Sequence, residues 1–351
     1  MIDEYVDGVK GQLNAFVSDL LAREPHVPEL NCLYEVFRSA SRGGKCLRGA
    51  LVRLGCETAS GCQADDRILP VAAAFEVFQT GILAHDDVID RSALRRGRDS
   101  VWKAAAKTGD GDQHYGVSQA ICLGDVAIVT ADRLIAQSGY PAEAKLLALS
   151  MFHEAVLNTL DGEMLDVLFS WEGLADPRRY DEESALLIAR LKTAWYTVAG
   201  PLRVGAALAG ASAPLLSAMR DFGVALGVAF QIRDDVLGVT ADDSATGKSG
   251  TDVDEGKVTL LIAHALAHAS EDDRAFLEAK YGHPPISPDE RRRVVEIFGS
   301  TGAFEASERC GKGYHDEALS VIPRITAAVG VRGRGEQTAA LLRELCALMW
   351  A

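Results

Sequence analysis

The chain lacks several features that would point its function elsewhere. Its seven cysteines (32, 46, 56, 62, 122, 310 and 346) include no Cys-x-x-Cys and are odd in number. Such scatter argues against a disulfide framework or a thiolate metal site and fits reduced thiols, mostly core filler, in a cytoplasmic protein. Positive charge is scarce: 36 basic against 50 acidic residues leave a formal charge of −14. A protein of that sign is a poor match for nonspecific nucleic-acid binding or for docking on anionic lipid. No charge-free apolar run is long enough and suitably flanked to read as an integral membrane segment. The first residues, with Asp3, Glu4 and Asp7, carry no basic region of a signal peptide. Alternating β-branched segments, solenoid repeats, low-complexity tracts and Gly/Ser/Pro linkers are all missing.

What is present is helical spacing. Candidate helices span about 2–22, 29–41, 46–60, 66–90, 113–138, 142–170, 181–210, 214–238, 257–269, 287–298, 302–320 and 335–349. Breakers separate them, among them Pro25 and Pro28, Gly43-Gly44, Gly61, Gly109 and Gly111, Pro141, Asp176-Pro177 and Pro284-Pro285. The expectation is an all-α protein, with residues 1–351 forming one large helical domain. The stretch 240–256 is polar and rich in Gly and Asp, a loop long enough to suggest a function.

Chemistry enters at Asp86-Asp87-Val88-Ile89-Asp90, which ends the apolar run from Ile68 to Ala84. A helix that is apolar almost all round is a buried one. Asp86 and Asp90 fall on one face, a turn apart. Two carboxylates about 6 Å apart repel by roughly 3 kcal/mol at an effective dielectric of 20. A chain that retains such a pair at the end of a core helix offsets the cost with cations. Oxygen ligands without a cysteine pair or histidine cluster favour Mg²⁺, shared with substrate phosphates. Asp-Asp also occurs at 65, 234, 242 and 272. The pair at 65 precedes a helix and the pair at 272 lies in a first helical turn, where acids suit the dipole. The pair at 242 sits in a polar loop, where solvation explains it. Only Asp86-Asp87 and Asp234-Asp235 end long apolar helices.

Basic residues accompany these acids. Gly43-Gly44-Lys45-Cys46-Leu47-Arg48 joins two helices, and Arg95-Arg96-Gly97 follows the first acids by five residues. Lys192-Thr193 lies in a mostly apolar helix, where an unpaired lysine would be costly. Lys248 and Lys257 sit in and after the polar loop. Acids that hold metals, and cations that take the remaining charge, suit a polyphosphate ligand. A nucleotide would suit them too, but no Gly-x-x-x-x-Gly-Lys-[Ser/Thr] loop follows a strand. Apolar helical walls point instead to a diphosphate with a hydrocarbon tail.

In these residues the chain resembles the trans-isoprenyl diphosphate synthases, the polyprenyl synthetase family. Asp86 through Asp90 match its first aspartate-rich motif, followed by Arg95-Arg96-Gly97, and Phe230-Gln231-Ile232-Arg233-Asp234-Asp235 match the second. Gly43-Gly44-Lys45 with Arg48, Glu76 with Gln79, Gly124-Asp125, Gly162-Glu163 with Asp166, Lys192-Thr193, and Gly247-Lys248 through Lys257-Val258-Thr259 stand in family order. The likeness spans roughly residues 43–260, and the second motif with Leu237-Gly238-Val239 is most similar to bacterial geranylgeranyl-type enzymes. Departures are Cys46 where arginine is usual, Gly49 for proline, Gly238 for aspartate and Glu163 for glutamine.

The resemblance implies the isoprenoid synthase fold, a helical bundle around a central apolar cavity, and a homodimer. It implies Mg²⁺-dependent, head-to-tail condensation of isopentenyl diphosphate with an allylic diphosphate, with three Mg²⁺ per active site once substrate is bound. Asp86, Asp87, Asp90 and Asp234 would be metal residues, with Asp235 in support. Arg95, Lys192, Lys248 and Lys257 would neutralise the allylic diphosphate, and Lys45, Arg48, Gln79 and Arg96 would hold isopentenyl diphosphate. Lys192, Thr193 and Gln231 would be catalytic, the last two directing oxygens at the carbocation. Gly81, five before Asp86, is expected to open the floor of the tail channel beside Ile82. Phe78 is then the next stop or an ordinary core aromatic. C20 geranylgeranyl diphosphate is the favoured product, with C25 or longer as the alternative. A class I terpene cyclase, a head-to-head synthase and a non-catalytic prenyl-diphosphate-binding subunit are the rival readings.

Overall fold

Helix follows helix in the order that the apolar spacing predicts. The computed structural model describes residues 2–22, 27–42, 44–172, 174, 180–240, 252–329 and 335–350. In chain order its helices are α1 (Ile2–Leu21), α2 (Pro28–Ser41), α3 (Leu47–Ser60), α4 (Leu69–Ile89), α5 (Val101–Ala106), α6 (Gln113–Ala136) and α7 (Ala142–Glu172). Next come α8 (Glu182–Ile188), a π-helical stretch (Ala189–Ala199), α9 (Gly200–Leu208) and α10 (Ala213–Thr240). The last are α11 (Asp252–Glu255), α12 (Leu260–His268), α13 (Glu271–Lys280), α14 (Pro288–Ser300), α15 (Ala303–Val329) and α16 (Gly335–Trp350). The only strands among the described residues are β1 (Leu94–Arg95) and β2 (Arg98–Asp99), paired antiparallel. The protein is all-α. Its described residues cluster into two compact units, one of 2–152 and 201–211, the other of 153–200, 212–240 and 252–350.

The first unit is organised on α4. Asp65 caps the 3-10 turn Asp66–Ile68 that leads into it, accepting from the Arg67 amide at 3.0 Å, and Pro70 sits in the first turn of α4, where no amide partner is lost. From Val71 to Phe78 every residue is buried, so this half is enclosed on all sides. Phe75 and Phe78 both set ring edges against Phe152, at 5.3 and 5.6 Å between centroids. Each such phenylalanine contributes roughly 1.5–3 kcal/mol by burial. Beyond Phe78 only Gly81, Ala84 and Asp87 are buried, a single stripe at helical spacing.

That stripe corrects the reading of Gly81 as open floor. A Cβ on Gly81 would stand 2.6 Å from the Ala127 Cβ and 3.0 Å from the Gly124 carbonyl oxygen, so α6 already fills the space. Phe78 is fully buried against Phe152 and is a core aromatic. Ile82 is partly exposed and remains the tail-facing candidate.

Helix α3 begins unusually. Cys46, its N-cap, has φ of 46° and makes no side-chain cap. Glu76, reaching over from α4, caps instead and accepts from the Gly49 amide at 2.8 Å. Burial raises the pKa of Glu76, while Arg48 and the amides of Gly49 and Arg48 pull it back.

In the second unit the π-helical stretch is gripped closely. A Cβ on Gly162 of α7 would lie 2.2 Å from the Lys192 amide nitrogen, and one on Gly227 of α10 would lie 2.5 Å from the Ala194 Cα. These glycines let three backbones meet where Lys192 and Thr193 stand. Helix α15 outruns its expected end near 320 and continues through Pro323, because buried Val321, Ile322 and Ile325 hold its core face. Lys257 precedes α12 rather than starting it, since Thr259 caps that helix by accepting from the Ile262 amide at 3.5 Å. Residues 241–251 of the expected polar loop lie outside the described residues, and Asp252–Glu255 form one helical turn.

Two helical stretches, Asp66–Ile89 and Ala213–Thr240, are long and apolar enough to cross a membrane by composition, yet 61% and 67% of their apolar windows are buried. All seven cysteines are free thiols, but only Cys46, Cys56 and Cys346 are buried, so core filling accounts for fewer of them than expected.

Candidate active site

The end of α4 divides its three aspartates by register. Asp86 and Asp90 lie on the partly exposed face, whereas Asp87 falls on the buried stripe and is 1% exposed. Arg95 spans the first two: its Nε donates to Asp87 at 2.7 Å, and a terminal nitrogen donates to Asp86 at 2.7 Å. Burial drives the Asp87 pKa to about 6, opposed by Arg95 and reinforced by Asp86 and Asp90. The expectation that Asp87 ligates a metal finds no support in this geometry. It is placed to hold Arg95.

Arg95 is delivered by the hairpin. Arg95 pairs with Arg98 across a two-residue turn, Arg96-Gly97, with φ of 54° and 71°. Both central residues of a type I′ turn need positive φ, which suits glycine and strains arginine by about 1 kcal/mol. An arginine kept at such a position points to a chemical use. The Arg96 guanidinium lies over Gly44, 3.1 Å from where a Cβ would be.

Arg96 and Gln79 line a cavity of about 300 Å³ in the first unit, with Glu76, Thr80, Arg95 and Ser100 also on its wall. Lys45 is exposed and does not line it, and Gly43 lies outside the described residues. Arg48 is partly buried in the first turn of α3, where its charge acts on Glu76, as that of Arg96 does. Glu76 thus ties two of the expected substrate-binding arginines together. Cys46 is buried, and burial followed by the nearby Glu76 raises its pKa to about 11. An arginine in its place would have to leave that niche.

In the second unit the expected residues form two clusters. Lys192 is held by α7, at 2.9 Å from Glu163 and 2.6 Å from Asp166. Thr193 donates to the Gln231 side-chain oxygen at 2.6 Å, and Gln231 donates in turn to Asp235 at 2.6 Å. With its proton committed to Gln231, the Thr193 oxygen keeps its lone pairs for another partner. The Gln231 oxygen accepts from Thr193 and keeps a second lone pair. Burial, and after it Asp252, pushes the Asp235 pKa well up, because its hydrogen-bond partner is a neutral amide and Lys257 acts only weakly. Asp234 is exposed, and Lys257 pairs with Glu255 at 2.9 Å. Lys248 lies outside the described residues.

Among the described residues no three carboxylate, histidine or cysteine side chains converge to form a complete metal cage. In the first unit Asp86 and Asp90 offer an oxygen pair one turn apart; in the second, Asp235 is a half-buried acid whose hydrogen-bond partner is a neutral amide. The Asp86–Asp90 pair fits Mg²⁺, which keeps several waters and takes its remaining ligands from phosphate.

Three residues of the site were not assigned roles by motif. Glu163 and Asp166 clamp Lys192, and their spacing of three on one helix was the available signal. Asp252 stands over Gly238, its carboxylate oxygen 2.8 Å from where a Cβ would lie, close to the position of the aspartate that the second motif lacks. That approach spans distant sequence positions and left no local signal.

A polyprenyl synthetase family model matches residues 31–298. The geranylfarnesyl diphosphate synthase of Aeropyrum pernix is 32% identical, covering 81% of this chain and 85% of its own. The geranylgeranyl diphosphate synthase of Sulfolobus acidocaldarius is 28% identical over 95% of this chain and 94% of its own. Among solved structures, geranylgeranyl pyrophosphate synthase from Corynebacterium glutamicum, complexed with isoprenyl diphosphate and magnesium, superposes with a TM-score of 0.89. It is 30% identical and covers 100% of this chain and 99% of that one.

Proposed function

The chain belongs to the polyprenyl synthetase family and is a trans-prenyltransferase; from that premise we propose that it joins isopentenyl diphosphate head to tail to an allylic diphosphate, forming C20 geranylgeranyl diphosphate. The observation that carries this is the hairpin turn. Its adjacent arginines take different duties, Arg95 on Asp86 and Asp87, Arg96 over Gly44 in the cavity that Gln79 lines. Arg95 also stands on that cavity's wall, and the division of duties between the two arginines suits a reaction with two diphosphate substrates.

Asp86, Asp90 and Asp234 would hold Mg²⁺, three ions serving one site. When bound, Mg²⁺ supplies Lewis-acid neutralisation of the departing diphosphate. Arg95, Lys192, Lys248 and Lys257 take the rest of that charge, so the allylic C–O bond ionises with its electron pair on the leaving oxygen. Lys45, Arg48, Gln79 and Arg96 hold isopentenyl diphosphate, whose double bond attacks the cation. The Thr193 oxygen faces the developing charge, and a diphosphate oxygen accepts the proton that is lost. We take residues 1–351 as one functional domain, since the family model runs through both units.

Three further readings accompany this one. C20 is favoured over C25 because two of the relatives named above make geranylgeranyl diphosphate, although a third makes the C25 product. A homodimer is supported by α7, where Leu157, Leu160, Met164, Val167 and Trp171 recur at the three-four spacing of a helix seam and Trp171 is 87% exposed. A cytoplasmic location is supported by the free thiols.

Incubation with isopentenyl and farnesyl diphosphates and Mg²⁺, followed by chromatography, tests the function. Geranylgeranyl diphosphate is the expected product. A C25 or longer product would overturn the length assignment. Conversion of farnesyl diphosphate alone would overturn prenyl transfer in favour of a cyclase or head-to-head reaction.

A further inference from the structure

Ser100 follows β2 and occupies the N-cap of the six-residue α5, yet its side chain does not cap that helix. Its backbone is fully used: the amide donates to the Ala93 carbonyl at 2.9 Å and the carbonyl accepts from the Ala104 amide at 2.9 Å. The side chain is not used. Ser100 is 2% exposed, and its Oγ has no hydrogen-bond partner. Buried hydroxyls without partners are rare in native proteins and call for a reason.

The cavity supplies the reason. Ser100 lines the same space of about 300 Å³ as Arg96 and Gln79. Two other hydroxyls on its wall are already committed, Ser41 to the Phe37 carbonyl at 2.9 Å and Thr80 to the Glu76 carbonyl at 3.0 Å. Ser100 keeps a hydroxyl without a hydrogen-bond partner on a wall that also carries a guanidinium and a carboxamide. A hydrogen bond to an ionised phosphate oxygen is about twice as strong as one between neutral groups. We infer that Ser100 is a further substrate-binding residue, its hydroxyl donating to the diphosphate of the non-allylic substrate in the cavity lined by Arg96 and Gln79. This inference rests on the function proposed above.

The test compares Ser100→Ala, which deletes the hydroxyl, with Ser100→Cys, which keeps a side-chain atom in its place but donates weakly. Calorimetry with isopentenyl diphosphate alone, without Mg²⁺ or allylic substrate, reads binding without turnover. Both variants are expected to weaken Kd by roughly tenfold, the loss of one charge-assisted hydrogen bond. KM for the allylic substrate should stay within about twofold of wild type and Tm should be unchanged or higher, since a buried polar group without a partner has been removed. A Kd within twofold of wild type for Ser100→Ala would overturn the inference. So would a lowered Tm with equal losses for both substrates, or full binding by Ser100→Cys, because each marks a packing role. Wild-type protein that binds no isopentenyl diphosphate would instead overturn the functional reading on which the inference depends.

Discussion

The two acidic clusters handle their charge in opposite ways. At the end of α4 the cation is built in: Arg95 forks between Asp86 and Asp87 at 2.7 Å to each. In the second unit the lysine goes to other acids: Lys192 is spent on Glu163 and Asp166, while Asp235 receives a neutral amide from Gln231. The electrostatics follow. Asp87 is held near pKa 6, whereas Asp235, equally an acid behind an apolar helix, is pushed well above the ordinary range. The first cluster stands ready-made around its arginine, whereas among the described residues Asp235 is hydrogen-bonded only through the Gln231 amide.

The largest expected effect breaks the comparison at its functional end. Asp90→Ala should abolish prenyl transfer while circular dichroism and Tm stay near wild type, and Asp86→Ala should abolish it with a lowered Tm, because it also removes one of the two carboxylates that hold Arg95. Both carboxylates lie on the partly exposed face and contribute little packing. Retention of more than a few per cent of activity at saturating Mg²⁺ would mean that the metal pair lies elsewhere.

Next comes stability. Arg95→Ala strands the buried Asp87, and Lys192→Ala leaves Glu163 and Asp166 facing one another without their cation. Each should lower stability by roughly 3 kcal/mol in denaturant titrations, the usual scale for removing one partner of a buried pair. Restoring stability in Arg95→Ala by a second change, Asp87→Asn, would establish Asp87 as the stranded group. No rescue would contradict the pairing.

How much of this was legible beforehand differs between the clusters for a physical reason. The faces of α4 follow from helical period alone, so Asp86 and Asp90 could be paired from their spacing. Asp87 was assigned to the metal with them because its fate depends on Arg95, which a hairpin turn brings back eight residues later. Gly81 shows the same limit. A small residue five before Asp86 reads as open space in sequence, yet small residues also mark where α6 packs close. Lys192 was recognised as needing a partner, but finding Glu163 and Asp166 required the approach of α7 that Gly162 permits. Periodicity shows which residues share a face, and only packing shows what covers it.

A smaller effect sharpens the electrostatic contrast. Asp87 titrates near pH 6 in the folded protein and near 3.8 as an ordinary aspartate, so the folded state binds the proton more tightly. Its contribution therefore favours folding as pH falls from 7 towards 4 and is lost as pH rises through 6. Between pH 7 and pH 5 this amounts to about 1 kcal/mol in the metal-free protein. It should appear as the difference between wild-type and Asp87→Asn melting curves, and identical pH profiles for the two would remove Asp87 as the source.

The smallest effect concerns the tail. Ile82→Phe should shorten the product by one C5 unit with little change in Tm, whereas Gly81→Phe should chiefly destabilise the protein by driving a ring into α6. A folded Gly81→Phe enzyme making a shorter product would reinstate position 81 as the channel floor.

The central claim is that the neighbouring arginines of one hairpin, both on the wall of one cavity, serve different diphosphates. The most direct measurement is the pair of Michaelis constants in Arg96→Ala. The KM for isopentenyl diphosphate should rise roughly tenfold or more, the loss of one charge-assisted contact, while that for the allylic substrate moves less than about twofold. Equal increases for both substrates would contradict this division of duties between the two arginines.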